Sequence, residues 1–517
     1  MVITQKLKKL VVLALVFVVI FSCESDDLPS GVVEMTTILV DMNPSGRAPL
    51  TAQLRFSTDR PARITITIPG KNALVHEFDE LTKVHRVPVL GLYPGITNYV
   101  IITASDNNGN ASSEIVPIET GNLPDYIPDL EVRTKNEAMM EPGWNLLPVS
   151  VGLGAPSSFS SPIVFDQDGD VRWFLDLRDL FSTTLVSPVE PMRNGNFLFA
   201  SLRAVHEFNL MGEEVNSWAL PANYTFHHDV IEKPDGNFIV AVDDSNLDTI
   251  EDIAIEIDRN SGEVVNTWDL REILDMSRLE LINDPVDWFH MNAIWYDEAD
   301  DAVIFSGQRQ GLVKVSMDNE LIWIMAPHLG WGNAGINGEG HDTNNFLLTA
   351  VDGNGDAYEE AVQMGNRALD EFEWTWGQHA PMVLENGNIF AYDNGFRRTW
   401  GPAFGTYSRG VEYQIDEQAM TVQQVWQAGK EQGVDFQSHI ISDVDVMSQT
   451  GNRIIFSGIN IVNRESRLME VTYPAGTPVY EVTVNYKFAF VEPGAPLAPG
   501  NIDSSFRMER ISMYSGF

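Results

Sequence analysis

Four histidines stand at one phase of a repeating unit, and several imidazoles aimed at one point can move a group that must bind, leave and be replaced. His228, His290, His379 and His439 each fall between a tryptophan and a following turn phrase. His228 precedes Asn237 by nine residues and His379 precedes Asn388 by nine, whereas His439 stands thirteen before Asn452. A neutral imidazole is a nucleophile near pH 7 and is regenerated when its cargo departs. A second imidazole can protonate a leaving oxygen and deprotonate an incoming one. Three convergent imidazoles could also hold zinc, the chief chemical rival. No His-x-x-x-His pair supports zinc, so neither a metal nor a cofactor is expected.

The elements that must position these histidines are written in the repeat. Asn194-Gly195-Asn196-Phe197-Leu198, Asp235-Gly236-Asn237-Phe238-Ile239, Asn386-Gly387-Asn388-Ile389-Phe390 and Thr450-Gly451-Asn452-Arg453-Ile454 are hairpin turns feeding apolar strands. Asp168-Gly169-Asp170-Val171 and Asp300-Asp301-Ala302-Val303-Ile304 are weaker copies. Trp173, Trp218, Trp268, Trp323, Trp374 or Trp376, and Trp426 close the units at spacings of 45 to 55 residues, the length of a four-stranded propeller blade. The spacing predicts an all-β chain with a six-bladed β-propeller over residues 140–517. A blade's first strand is its innermost, so the histidines line a central funnel. His227 and His228 are adjacent, and a regular strand would send only one of them inward. His227, Asn292, Gln308 and His439 are the further substrate-binding candidates.

Residues 32–120 alternate with period two, as in Ala62-Arg63-Ile64-Thr65-Ile66-Thr67-Ile68, and read as a small β-sandwich. Its Leu92-Tyr93-Pro94-Gly95-Ile96-Thr97-Asn98-Tyr99 corner resembles a fibronectin type III (Ig-like) module. Residues 121–139, with Pro124 and Pro128, read as a linker. At the N-terminus Lys6, Lys8 and Lys9 precede an apolar run from Leu10 to Ser22, too short to span a bilayer and typical of a secretory signal over residues 1–22. Cys23 is the sole cysteine, and Ile20-Phe21-Ser22-Cys23 resembles a lipobox. The expectation is a lipid anchor on Cys23, an acidic leader over 23–31, no disulfide, and residence in the bacterial cell envelope at the outer membrane. A formal net charge of −40 repels nucleic acid, and no basic patch interrupts it.

Longer motifs carry a resemblance. Asp287-Trp288-Phe289-His290-Met291-Asn292-Ala293-Ile294-Trp295-Tyr296-Asp297 is similar to a segment of the bacterial arylsulfate sulfotransferases. Phe226-His227-His228-Asp229, Leu347-Leu348-Thr349-Ala350-Val351-Asp352, Trp374-Thr375-Trp376-Gly377-Gln378-His379 and Asp393-Asn394-Gly395 resemble further family segments, in order. The resemblance implies a small N-terminal β-domain before a six-bladed propeller. It also implies transfer of a sulfuryl group from an aryl sulfate donor to a phenolic acceptor through a sulfohistidine, without the soluble nucleotide donor. By motif position His379 matches the nucleophile, and His290 and His228 its catalytic partners.

One position departs. The family carries an arginine in a Ser-x-Arg-His-Gln strand, and this chain reads Ser306-Gly307-Gln308-Arg309-Gln310. In a flat strand the one-residue shift turns Arg309 to the wrong face, unless a bulge at Gly307 restores it. Two other functions stay open at this point: a non-catalytic surface lipoprotein whose funnel binds an anion or glycan, and a histidine-metal hydrolase or lyase. Asp352-Gly353-Asn354-Gly355-Asp356 opens like a calcium loop, but Ala357 and Gln363 stand where glycine and glutamate are needed, so it reads as a turn.

Overall fold

The computed structural model describes residues 31–153, 158–181, 186–403, 405–487 and 502–516. The signal segment and Cys23 lie outside the described residues. Strands Leu39–Met42, Ala52–Ile68, Leu74–Val89, Thr97–Ser105 and Ala111–Glu119 form one antiparallel sheet. Ala52–Ile68 is central, and its alternating burial follows the period-two pattern of its sequence. This domain docks through Arg172, a fully buried guanidinium that donates to the Gly91 carbonyl at 2.9 Å and lies 3.5 Å from the centre of the Tyr93 ring.

Beyond it the chain is a β-propeller. Among the described residues its region contains six sheets of four or five strands. The repeated turn phrase has a physical reason at each step. The first residue caps the turn, so that Asn194 Oδ1, Asp235 Oδ1 and Asn386 Oδ1 accept from the backbone two residues on at 3.0 to 3.1 Å. The glycine supplies a left-handed φ of 82°, 92° or 83°. The last asparagine donates to a buried glutamate on the third strand: Asn196 to Glu207, Asn237 to Glu256, Asn388 to Glu412 and Asn452 to Glu470, at 2.6 to 2.7 Å. Trp374 and Trp376, expected to close a unit, instead precede the inner strand His379–Val383, whereas the other closing tryptophans reach the next sheet. Trp173 Nε1 donates to Leu210, Trp218 to Arg259, Trp268 to Ser316 and Trp426 to Pro474.

Strands from both ends of the chain share sheets. Ile502–Ser505 and Glu509–Ile511 both pair with Trp144–Leu153. Asp129–Lys135, inside the stretch read as linker, pairs with Pro478–Asn485 and is the fifth strand of that sheet. Its weak alternation escaped notice because most of its residues stay half-exposed on an edge. Inner strands of successive sheets touch, Tyr224–Glu232 against Met291–Asp297, and Met291–Asp297 against His379–Val383. That packing brings the histidine-bearing strands side by side.

Candidate active site

The inner strands do not run regularly where they meet the funnel. His228, His290, Ala380 and Ile441 have φ of 52°, 58°, 46° and 52°, left-handed values that non-glycine residues rarely adopt. Register slips beside three of them, between Phe226 and Val230, Met291 and Ala293, and His379 and Met382. The same distortion in four consecutive sheets marks a built site, where strain is held by the surrounding structure.

The distortion corrects the alternation argument. Because His228 is left-handed, it and His227 turn to the same carboxylate: His227 Nε2 lies 3.0 Å from Glu251 Oε1, and His228 Nε2 lies 3.5 Å from Glu251 Oε2. Their rings stand edge to face at 4.0 Å, and His228 is 5.1 Å from the His290 ring. His290 Nδ1 is 2.8 Å from both Glu251 Oε2 and Asp287 Oδ2. Burial pulls the His290 pKa down, but hydrogen bonding to these two carboxylates and their charge carry it up to about 9. His290 is therefore an imidazolium at neutral pH, with Nδ1–H committed to carboxylates and Nε2–H left over. His228 behaves oppositely, with burial first and the charge of His227 next holding it near 3.

Arg309 joins the group by an unexpected route. Residues 308–310 are the turn between strands Ala302–Gly307 and Gly311–Ser316, so the flat-strand argument does not apply. From that turn Arg309 reaches back to Asp287 Oδ2 at 2.6 Å and Asp284 Oδ2 at 3.2 Å. One carboxylate, Asp287, thus links the Arg309 guanidinium to the His290 imidazolium. Gln308 lies beside Gly377 and donates its backbone N–H to the His290 carbonyl at 2.9 Å.

His379 is held in another manner. Asn394 Nδ2 donates to the carbonyls of Ser438 and Ile441 at 3.2 and 2.9 Å, which fixes Oδ1 toward His379 Nδ1 at 2.7 Å. Nδ1 therefore carries the hydrogen, and Nε2 keeps its lone pair, accepting only the Ile441 backbone N–H at 3.2 Å. Burial, partly opposed by Asn394, lowers its pKa to about 3, and the charge of His290 adds to the depression. His379 is neutral at pH 7, with its hydrogen on Nδ1 and its lone pair on Nε2.

Two candidates have other duties. Asn292 is wholly buried and donates to the Gln378 carbonyl at 2.8 Å, tying one inner strand to the residue before His379. His439 is buried, with its backbone N–H on the Ile459 carbonyl at 3.3 Å, in the stretch whose carbonyls hold Asn394. Glu251, Asn394 and Arg507 were not foreseen as site residues. Arg507 donates to Asp229 and Glu190 at 2.6 and 2.7 Å, and its charge also reaches His379. His227, His228 and Glu251, or Glu251, Asp287 and His290, bring three potential ligand atoms within 4.8 Å of one another. Ligand atoms on tetrahedral zinc, with bonds of about 2.0–2.1 Å, stand about 3.3 Å apart. The separations are 2.8 Å from His290 to each of its carboxylates, and 3.0 and 3.5 Å from His227 and His228 to Glu251.

Comparison with known proteins decides the family. The arylsulfotransferase (ASST) family model matches residues 151–490, and the arylsulfotransferase Ig-like domain matches residues 39–121. The chain belongs to the arylsulfotransferase family. It is 27% identical to arylsulfate sulfotransferase AssT of Escherichia coli O6:H1 (strain CFT073), covering 83% of this chain and 86% of that protein. It is also 27% identical to AssT of Lelliottia amnigena, covering 90% of each. Among solved structures the Dos1 propeller aligns with a TM-score of 0.30 at 10% identity over 70% of this chain and 76% of that one, too distant to argue from. For an arylsulfotransferase, the histidine group and His379 are the chemically equipped part of the funnel.

Proposed function

We infer that this arylsulfotransferase passes a sulfuryl group from an aryl sulfate to a phenol by way of a sulfohistidine at His379. The observation that carries the reading is the contrast within the site: a neutral His379 with its lone pair on Nε2, beside a His290 that is charged and retains Nε2–H. Nε2 of His379 attacks sulfur as the sulfur–oxygen bond to the aryl group breaks. The departing phenolate takes the proton from His290 Nε2. In the second half the acceptor phenol returns a proton to His290 and attacks the same sulfur, and the nitrogen–sulfur bond breaks to restore His379. By analogy with phosphoryl transfer, charge gathers on the peripheral oxygens in a loose transition state. The His290 and Arg309 cations oppose that charge, and the Ile441 N–H is released from Nε2 to donate to an oxygen. Asn394 keeps the hydrogen on Nδ1 throughout.

Mass spectrometry of protein mixed with an aryl sulfate, with no acceptor, tests this directly. A sulfuryl adduct on His379 that disappears on adding a phenol is expected. Adduct-free protein that still turns over would end the reading. The envelope location belongs to the same proposal: Cys23→Ser is expected to leave a soluble, folded protein, and retention of that variant on membranes would refute the lipid anchor.

A further inference from the structure

Glu251 lies at the centre of the histidine group although no motif points to it. We propose that Glu251 is the positioning residue of the transfer reaction, a shared carboxylate that orients His227, His228 and His290 and keeps the proton on His290. This rests on the reading above. Its backbone is clamped between two sheets: the N–H donates to Asp243 Oδ1 at 2.8 Å, and the carbonyl accepts from Met291 N at 2.9 Å. Its own φ of 59° is left-handed, so the placement is held against local preference. The side chain is 6% exposed, yet its two oxygens meet three imidazoles.

The groups facing His290 are Glu251, Asp287, His227 and His228, with Arg309 behind Asp287 and Asp243 behind Glu251. Arg309 already draws on Asp287. Among the described residues, Glu251 is thus the carboxylate facing His290 that forms no ion pair with an arginine. Those imidazoles hold its own pKa below the ordinary range, against the pull of burial. Nδ1 of His290 faces Asp287, its hydrogen-bond partner, and Glu251 together at 2.8 Å, so Nε2, on the far side of the ring, is turned away from both carboxylates. Removing the carboxylate should disturb both proton and orientation without removing any group that touches the substrate.

The test uses the full-length protein and begins with imidazole NMR, which needs no turnover. In Glu251→Gln the His290 titration midpoint is expected to fall by about one pH unit or more. In kinetics the same variant should lose roughly ten-fold or more in kcat at pH 8 with sulfates of poorly acidic phenols, and much less with 4-nitrophenyl sulfate, whose phenolate needs no proton. Glu251→Asp should restore part of both. An unmoved His290 midpoint, an unchanged leaving-group dependence, or turnover abolished by a chelator and restored by a divalent ion would overturn the proposal. A moved midpoint in a protein whose wild type never forms a His379 adduct would uphold the positioning role and sink the sulfohistidine instead.

Discussion

His290 and His379 are the same side chain on neighbouring inner strands, held in opposite protonation states. The difference lies in what meets Nδ1. At His290 two carboxylates face it, so the ring keeps both protons despite its burial. At His379 a neutral amide oxygen faces it and a peptide N–H approaches the other nitrogen, so burial dominates and the ring stays neutral. Two carboxylates in place of an amide separate a charged ring from a neutral one. Burial by itself would have made both rings neutral.

The comparison breaks most completely at His379. His379→Ala is expected to abolish sulfuryl uptake and transfer, with no adduct by mass spectrometry. His290→Ala should cost roughly 10²-fold or more in kcat, as should Arg309→Ala, because both remove a cation from the developing charge. Asn394→Ala removes the nearer acceptor at His379 Nδ1 and leaves the Gly377 carbonyl at 3.2 Å, so the tautomer is held less firmly, and a fall of about ten-fold is expected, read as a change in kcat with little change in KM.

The pH dependence of stability sharpens the contrast further. An unfolded histidine takes up a proton near pH 6.5, which His379 refuses until about 3, so His379 lowers stability as pH falls through that window. His290 acts in the other sense: its contribution is complete below about 6.5 and fades as pH rises through about 9. Thermal melts across pH should therefore show His379→Gln less acid-sensitive and His290→Gln less alkali-sensitive than the parent. The smallest effect belongs to Gln308, where alanine should change kcat by less than about three-fold while leaving the His290 titration in place.

Much of this was legible in the chain. The Asn-Gly-Asn phrase and the tryptophan period announce strands and sheets because each residue meets a local need: a cap, a left-handed turn, a buried glutamate for the last amide. His290 and His379 were legible from phase and motif. Glu251 was not, because it sits in a short connection between strands and owes its place to Met291 and Asp243 in the fold. The shared direction of His227 and His228 was hidden as well, since nothing in His228 announces a positive φ. The direction of Arg309 stayed open for a related reason: residues 308–310 read as strand, and the turn between Gly307 and Gly311 appears only once both flanking strands are paired. Asp129–Lys135 finds its partner 350 residues along the chain at Glu481 and its neighbours, beyond the reach of any local pattern.

The terminal strands carry a consequence for the order of events during synthesis. Arg507 and the two segments that pair with Trp144–Leu153 are synthesised after every histidine of the funnel. Until they arrive, one sheet lacks its partners and Asp229 and Glu190 lack the cation between them. A nascent chain that has emerged only as far as His439 thus holds every histidine and still has no finished funnel.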